Sequence, residues 1–270
     1  MSVLVWDQVG EKTYETGTKK GVLYPQAAGG SYPQGVAWNG LTSVSESPDG
    51  GDANDIYADD IKYLVLRGVE NFGGTIEAYT YPDEFAECDG TAQLMSGVTI
   101  GQQPRKTFGF SFVSTVGNDT EMDSHGYKIH LIYGASASPS EKSYETINDS
   151  PEPINFSWEF TTVPVAVTGH KATSCLIIDS TKVSKTKMTA IENVLYGTDG
   201  ETTYVEFTGS AFEEGVDYYE RTGTDPNYVY TKTIDTEPEI GKTYYTKEVT
   251  AGTTARLPLP DEVLSILNAA

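Results

Sequence analysis

Phe108-Gly-Phe-Ser-Phe-Val113, Tyr127-Lys-Ile-His-Leu-Ile-Tyr133 and Ile154-Asn-Phe-Ser-Trp-Glu-Phe-Thr161 decide the fold class. Apolar residues stand at every second position in each run, the pattern of a strand with one face on a core. Leu41 to Glu46, Tyr57 to Leu66, Thr75 to Tyr81, Val165 to Thr168 and Ser174 to Asp179 show weaker forms of it. Turn residues separate them, among them Asn39-Gly40, Pro48-Asp-Gly-Gly51, Asp89-Gly90 and Gly117-Asn-Asp119. Many strands at short spacing, without regular alternation of strand and helix, predict a mainly β fold: an antiparallel sandwich or barrel. Two helices are expected. One, over Ser184 to Tyr196, has Ser184 as N-cap, Met188, Ile191 and Leu195 on one face and Gly197 as its stop. The other, over Pro260 to Leu267, opens with proline and with Asp261 and Glu262 at the positive end of its dipole.

Outward from that centre, residues 1 to about 40 are rich in Gly, Lys and Tyr, with an echo of Tyr24-Pro-Gln26 in Tyr32-Pro-Gln34. Proline fixes φ and removes a donor, so this arm is expected to be extended. Its Trp6, Tyr24, Tyr32 and Trp38 must pack against the chain's own core or against a neighbouring subunit, and both readings stay open. Glu201 to Thr253 differs in composition, holding 7 of the 18 tyrosines with 11 acidic and 4 basic residues. Gly215-Val-Asp-Tyr-Tyr-Glu-Arg221 is echoed there by Gly241-Lys-Thr-Tyr-Tyr-Thr-Lys247. Residues 201–253 therefore read as a small Tyr-rich β insertion in a domain made of 1–200 and 254–270.

Charge sets limits on function. The 270 residues include 39 acidic and 18 basic side chains, a net charge of −21. So negative a surface repels phosphate backbones and excludes static nucleic-acid binding through a basic patch, though not passing contact. The apolar Val3-Leu-Val-Trp6 is cut short at Asp7, too early for a membrane span. Residues 1–10 lack the pattern of a secretory signal, so synthesis and assembly in the cytoplasm are expected. Cys88 and Cys175 fit no metal or redox spacing and read as two reduced thiols. His125, His130 and His170 stand in no nucleophile or metal arrangement, and His130 reads as a solvated imidazole beside Lys128. Asp119, Glu121 and Asp123 open like a calcium loop, but Ser124 and His130 occupy the positions where such a loop needs Gly and Glu. A non-enzymatic protein without cofactor or metal is expected.

Longer phrases carry a resemblance. Lys20-Gly-Val-Leu-Tyr-Pro-Gln26, Gly35-Val-Ala-Trp-Asn-Gly-Leu41, Glu77-Ala-Tyr-Thr-Tyr-Pro-Asp-Glu-Phe-Ala-Glu-Cys-Asp-Gly90 and Gly97-Val-Thr-Ile-Gly-Gln-Gln103 resemble the major tail proteins, or tail tube proteins, of long-tailed bacteriophages of Gram-positive bacteria. So do Asn148-Asp-Ser-Pro-Glu152, Ser157-Trp-Glu-Phe-Thr-Thr162, Asp179-Ser-Thr-Lys-Val183 and Arg256-Leu-Pro-Leu-Pro-Asp-Glu-Val263. The resemblance implies a tail-tube β-sandwich or barrel with a flanking helix. It also implies self-association into stacked hexameric rings, a place in the virion tail, and tape measure, terminator and distal tail proteins as partners. Residues 201–253 interrupt the family pattern, and a projecting position on the outer wall is expected for them. In a tube that passes DNA, an acidic lumen avoids retention; Glu77, Glu159, Asp49, Asp52 and Asp55 are the candidate lumen-facing acids. The alternative reading is a virion-surface or extracellular binding module that recognises carbohydrate or protein through the Tyr-rich insertion.

Overall fold

The computed structural model describes residues 3–147 and 149–270. Asn148, where one of the phrases above begins, lies outside the described residues, as do Met1 and Ser2. The described residues are mainly antiparallel β, with two α-helices and a 3-10 turn at Asp83–Phe85, and the chain divides into two compact units, 1–196 with 254–270 and 197–253.

In the first unit the sheet runs β2 (Val36–Trp38), β1 (Thr13–Pro25), β9 (Phe108–Asn118), β10 (Met122–Ala137), β11 (Phe156–Thr162), β6 (Gly73–Ala78) and β3 (Leu41–Glu46), with β12 (Cys175–Asp179) also on β10. β10 serves two partners because the sheet forks at Gly134: residues 128–132 pair with β12 and residues 135–137 with β11. Gly134 has φ +61, and a Cβ there would strike the Val163 carbonyl, so only glycine fits the fork. The sheet curls until β3 returns beside β1, where a Cβ on Gly21 would strike Leu41.

Around β9 and β10 both faces of the sheet are buried, which explains why β9 is solvent-shielded along almost its whole length. Inside the curl, Phe108, Phe110 and Phe112 meet Trp38, Phe85, Trp158 and Phe160. Trp158 lies within 6 Å of Trp38, Tyr81, Phe85 and Phe156 ring to ring. On the other face, Ile129, Leu131 and Tyr133 pack under α1 (Lys185–Tyr196) and α2 (Pro260–Ala269) through Met188, Ile191, Leu195 and Val263. The two apolar sets of β9 and β10 thus point to opposite cores, as the period of two dictates.

Three expectations change. Tyr57 to Leu66 is not one strand but parts of a hairpin, β4 (Ala53–Ala58) and β5 (Ile61–Arg67), turned by Asp59 and Asp60 with φ +52 and +61. Two consecutive residues at positive φ form the two-residue turn matched to strand twist, more often signalled by Asn-Gly. Val165 to Thr168 contributes a single bridge, Val165 to Thr173. The N-terminal arm largely belongs to the fold: Tyr24, Tyr32 and Trp38 are at most 2% exposed. Tyr24 donates from its hydroxyl to the Leu195 carbonyl at 2.9 Å, the Tyr32 hydroxyl accepts from the Gly134 N–H at 2.8 Å, and the Trp38 indole donates to the Thr80 carbonyl at 2.9 Å. Those three are corrected from candidate inter-subunit contacts to residues of the chain's own core.

A small hairpin of β7 (Ala92–Met95) and β8 (Val98–Ile100) completes the first unit. The second is a four-stranded antiparallel sheet in the order β13 (Glu201–Phe207), β16 (Tyr244–Thr250), β14 (Tyr218–Thr224), β15 (Asn227–Lys232). It begins at Gly197 and not at Glu201, because Thr198 and Thr253 exchange backbone hydrogen bonds at 3.0 Å. The repeat seen in sequence is repeated in space: the Glu213 N–H donates to the Tyr218 hydroxyl and the Glu239 N–H to that of Tyr244, each across a turn whose glycine, Gly215 or Gly241, has positive φ.

Candidate functional site

On β3, β6 and β11 the inward positions hold Val44, Ile76, Ala78, Phe156, Trp158 and Phe160, with Glu46 turned in toward His130, so alternation sends Ser43, Ser45, Thr75, Glu77, Ser157, Glu159 and Thr161 outward. Their register sets Ser43, Glu77 and Ser157 in one row, and Ser45, Thr75 and Glu159 in the next. The structure therefore brings Glu77 and Glu159 onto one outer face, among hydroxyls and with no Lys or Arg at these positions. Asp49 joins the margin of that face: its backbone pairs both ways with Asn71, at 2.7 and 2.8 Å, and it lines a shallow cleft with Thr75 and Glu159. Asp52 and Asp55 do not join it. They belong to the β4–β5 hairpin and its approach, where Asp55 pairs with Lys62 at 2.7 Å. The hydroxyl neighbours were not singled out as site residues from sequence, although their alternation with Ile76, Trp158 and Phe160 was the available signal.

That hairpin is the largest unsupported element of the first unit. Among the described residues it pairs with no other strand, every residue of β5 is exposed, and Tyr57, Ile61 and Tyr63 are each more than 60% exposed. Apolar residues occupy both of its faces, Ile61, Tyr63 and Val65 on one and Ile56, Leu64 and Leu66 on the other. A hairpin of two strands is marginal alone, and apolar faces of this kind are ordinarily covered by another surface. A second apolar element is the residual arm: Val3, Leu4, Val5 and Trp6 are 63 to 87% exposed.

His130 departs from its expected solvation. It is 7% exposed and stacks on Phe112 with centroids 4.4 Å apart and planes 9° apart. The face that carries Lys128 becomes the inside of the curl by Ile132, and His130 stands at the transition. Its Nε2 lies 2.9 Å from Ser114 Oγ, and its Nδ1 3.2 Å from Glu46 Oε1. Ser114 and Lys128 also reach Glu15, each at 2.5 Å. Burial alone would raise the Glu15 carboxyl, but the hydrogen bonds from Lys128 and Ser114 together hold it below its ordinary value. A carboxylate depressed in the folded state adds stability above its unfolded pKa, and that stability is lost as pH falls through the folded pKa. The variant Glu15→Gln should accordingly lose less stability than wild type between about pH 5 and pH 3, measured by urea midpoints across that range; parallel pH profiles would remove Glu15 from the acid response.

The remaining candidates are engaged structurally. Asp119 accepts from the Gly10 N–H, Asp123 from the Tyr14 hydroxyl, and Glu121 meets His125 at 2.8 Å, so these acids organise the β9–β10 turn. His170 sits in a turn, its N–H donating to the Val167 carbonyl. Cys88 and Cys175 are free thiols, and burial pushes both up to about 12. No group of three or more metal-ligating side chains occurs among the described residues. In the second unit, Tyr204, Tyr219, Tyr228, Tyr230 and Tyr245 share one sheet face, with the Arg221 guanidinium over Tyr228 and Tyr245 at 4.4 and 5.0 Å.

No protein-family model and no curated protein matches the chain.

Proposed function

We propose that the chain is a structural subunit that works by self-association: a tail tube protein of a long-tailed bacteriophage, forming stacked hexameric rings around a DNA conduit. The observation that carries this reading is the β4–β5 hairpin, which pairs with no other strand among the described residues and leaves Tyr57, Ile61 and Tyr63 more than 60% exposed. A surface of that kind stabilises an assembly in proportion to the area removed from water. The outer face of β3, β6 and β11 supports it independently. Hydroxyls and carboxylates without a cation release no counterions from DNA, so a conduit lined by Glu77, Glu159 and their serine and threonine neighbours lets DNA slide. Asp49 borders that lining; Asp52 and Asp55 accompany the hairpin to its contact. Function on this reading rests on no catalytic residue, cofactor or metal. Tape measure, terminator and distal tail proteins are the further partners that the tail-protein phrases imply, and the virion tail is the location.

The test is negative-stain microscopy of the purified chain over a concentration series, with mass from light scattering. Rings or hollow tubes are expected above a threshold concentration; a monomer at every concentration overturns the proposal.

A second reading has its own observation, the tyrosine and arginine face of the second unit. Flat aromatic rings beside a guanidinium suit carbohydrate or protein recognition. A tube subunit that uses this unit as a binding module combines the two.

A further inference from the structure

The strands of the second unit divide their side chains between two faces. On one, Phe207, Tyr218 and Tyr244 pack around Phe212, which the loop before β14 supplies, and the Glu213 and Glu239 N–H groups close on the two tyrosine hydroxyls. The other carries Tyr204, Tyr219, Tyr228, Tyr230 and Tyr245, whose ring contacts are with one another and with Arg221. β13 and β15 are the edges of the sheet, with β16 and β14 between them, yet Tyr204 and Tyr230 stack at 3.9 Å with planes 1° apart. The sheet therefore twists toward this side. Tyr219 and Tyr245 stand edge-on to the stacked pair, at 74° and 81°, and rings held in this way lose little freedom on binding.

Charge is distributed unevenly over the unit. Residues 201–253 hold 11 acids and 4 bases, but register places Arg221, Lys232 and Lys247 on the tyrosine face, with Glu206 as the acid among them. Lys232 pairs with Asp217 at 2.5 Å, whereas Arg221 and Lys247 have no hydrogen bond or ion pair among the described residues. Each stands beside one ring of the stack, Lys247 opposite Tyr204 and Arg221 opposite Tyr230. The hydroxyls of Tyr204, Tyr219, Tyr228 and Tyr230 make no hydrogen bond among the described residues either.

These groups define a ligand. Phenols that both donate and accept call for a partner dense in hydroxyls, and their rings suit the C–H faces of a sugar. The two unpaired cations call for an acid group. Arg221 lies over Tyr228 at 4.4 Å, which leaves the edge of its guanidinium free for the two parallel hydrogen bonds that a planar carboxylate takes. A phosphate at every link would meet the unit's surplus of acids, which weighs against nucleic acid. Among the described residues Val249 is the one aliphatic side chain of the face, so no apolar cluster is there to anchor a protein.

We propose that this face binds an acidic polysaccharide of sparse charge, in which neutral sugar rings are interrupted by a carboxylate. The rings rest on Tyr204, Tyr228 and Tyr230, and carboxylates pair with Arg221 and Lys247. The inference rests on the second reading above, the binding module, and is independent of assembly.

The test titrates the full-length chain in calcium-free buffer against immobilised gellan, in which a glucuronate recurs among neutral sugars, and against the same polymer with its carboxyls reduced. Wild type should bind gellan saturably and the reduced polymer about tenfold more weakly. Arg221→Gln and Lys247→Gln alter exposed residues, so each should lose about tenfold on gellan with an unchanged melting profile and unchanged binding to the reduced polymer. Tyr228→Ala should weaken binding to both polymers, and Lys185→Gln, at an exposed lysine of α1, to neither. Equal binding of the two polymers, lost in Tyr228→Ala, overturns the acid recognition and leaves the carbohydrate reading standing. A loss in Lys185→Gln as large as that in Arg221→Gln overturns the site. Tighter binding to a single-stranded oligonucleotide, lost in the same variants, overturns the saccharide. No binding to either polymer overturns the inference together with the carbohydrate reading.

Discussion

Replacing Tyr57, Ile61 and Tyr63 together by serine should yield a chain that melts at or near the wild-type temperature but assembles only at roughly a thousandfold higher concentration. All three are more than 60% exposed in the single chain, so their removal takes little from its core. In an assembly that covers the hairpin, each buried aromatic or aliphatic side chain contributes about 1.5 kcal/mol or more, and about 4 kcal/mol in total is worth some three decades of affinity. Light scattering against concentration reads the shift, and thermal unfolding at low concentration checks the fold. An unchanged assembly threshold would show that the hairpin faces solvent in the assembly too.

The largest loss of stability is expected at Trp158. Trp158→Ala should destabilise the first unit by about 3–5 kcal/mol, the range for deleting a buried aromatic ring. The indole is 1% exposed and touches four aromatic neighbours, and no polar atom answers its buried N–H. That orphan gives the prediction a second edge. Trp158→Phe keeps an aromatic ring and removes the unsatisfied donor, so its cost should fall well below that of alanine. Urea denaturation of the three proteins decides the matter; equal losses for both variants would mean that the N–H is satisfied in solution.

Much of the fold was legible in the sequence because its strands obey a strict period of two. Phe108 to Phe112, Tyr127 to Tyr133 and Phe156 to Phe160 lie in β9, β10 and β11, and the spacing of Met188, Ile191 and Leu195 marks the helix that covers one face. The fork at Gly134 was not legible, since a single glycine says nothing of two strands competing for one partner. The Asp59-Asp60 turn hid because aspartate rarely fills both positive-φ positions, and the hairpin's apolar residues on both faces blur the alternation. At the candidate site, Glu77 and Glu159 could be chosen as acids, but their shared face depends on β6 lying between β3 and β11, a non-local pairing. His130 was misread because the polar side of a strand turned into an interior within two residues. Whether Tyr24, Tyr32 and Trp38 packed on the chain's own core or on a neighbour stayed open only while β1 and β2 were unrecognised as strands of the main sheet.

The paired ends of the second unit have a practical meaning. Thr198 and Thr253 hydrogen-bond to each other, and three residues beyond, the Arg256 N–H donates to the Val194 carbonyl. The chain therefore leaves and re-enters the first unit through a closed zip, with both strands of the junction side by side. Such a junction asks of its cargo only that its two ends lie adjacent. Residues 197–253 should be exchangeable for another small module with neighbouring termini, which makes this position a socket for display: one foreign domain per subunit, in a spacing dictated by whatever lattice the first unit builds.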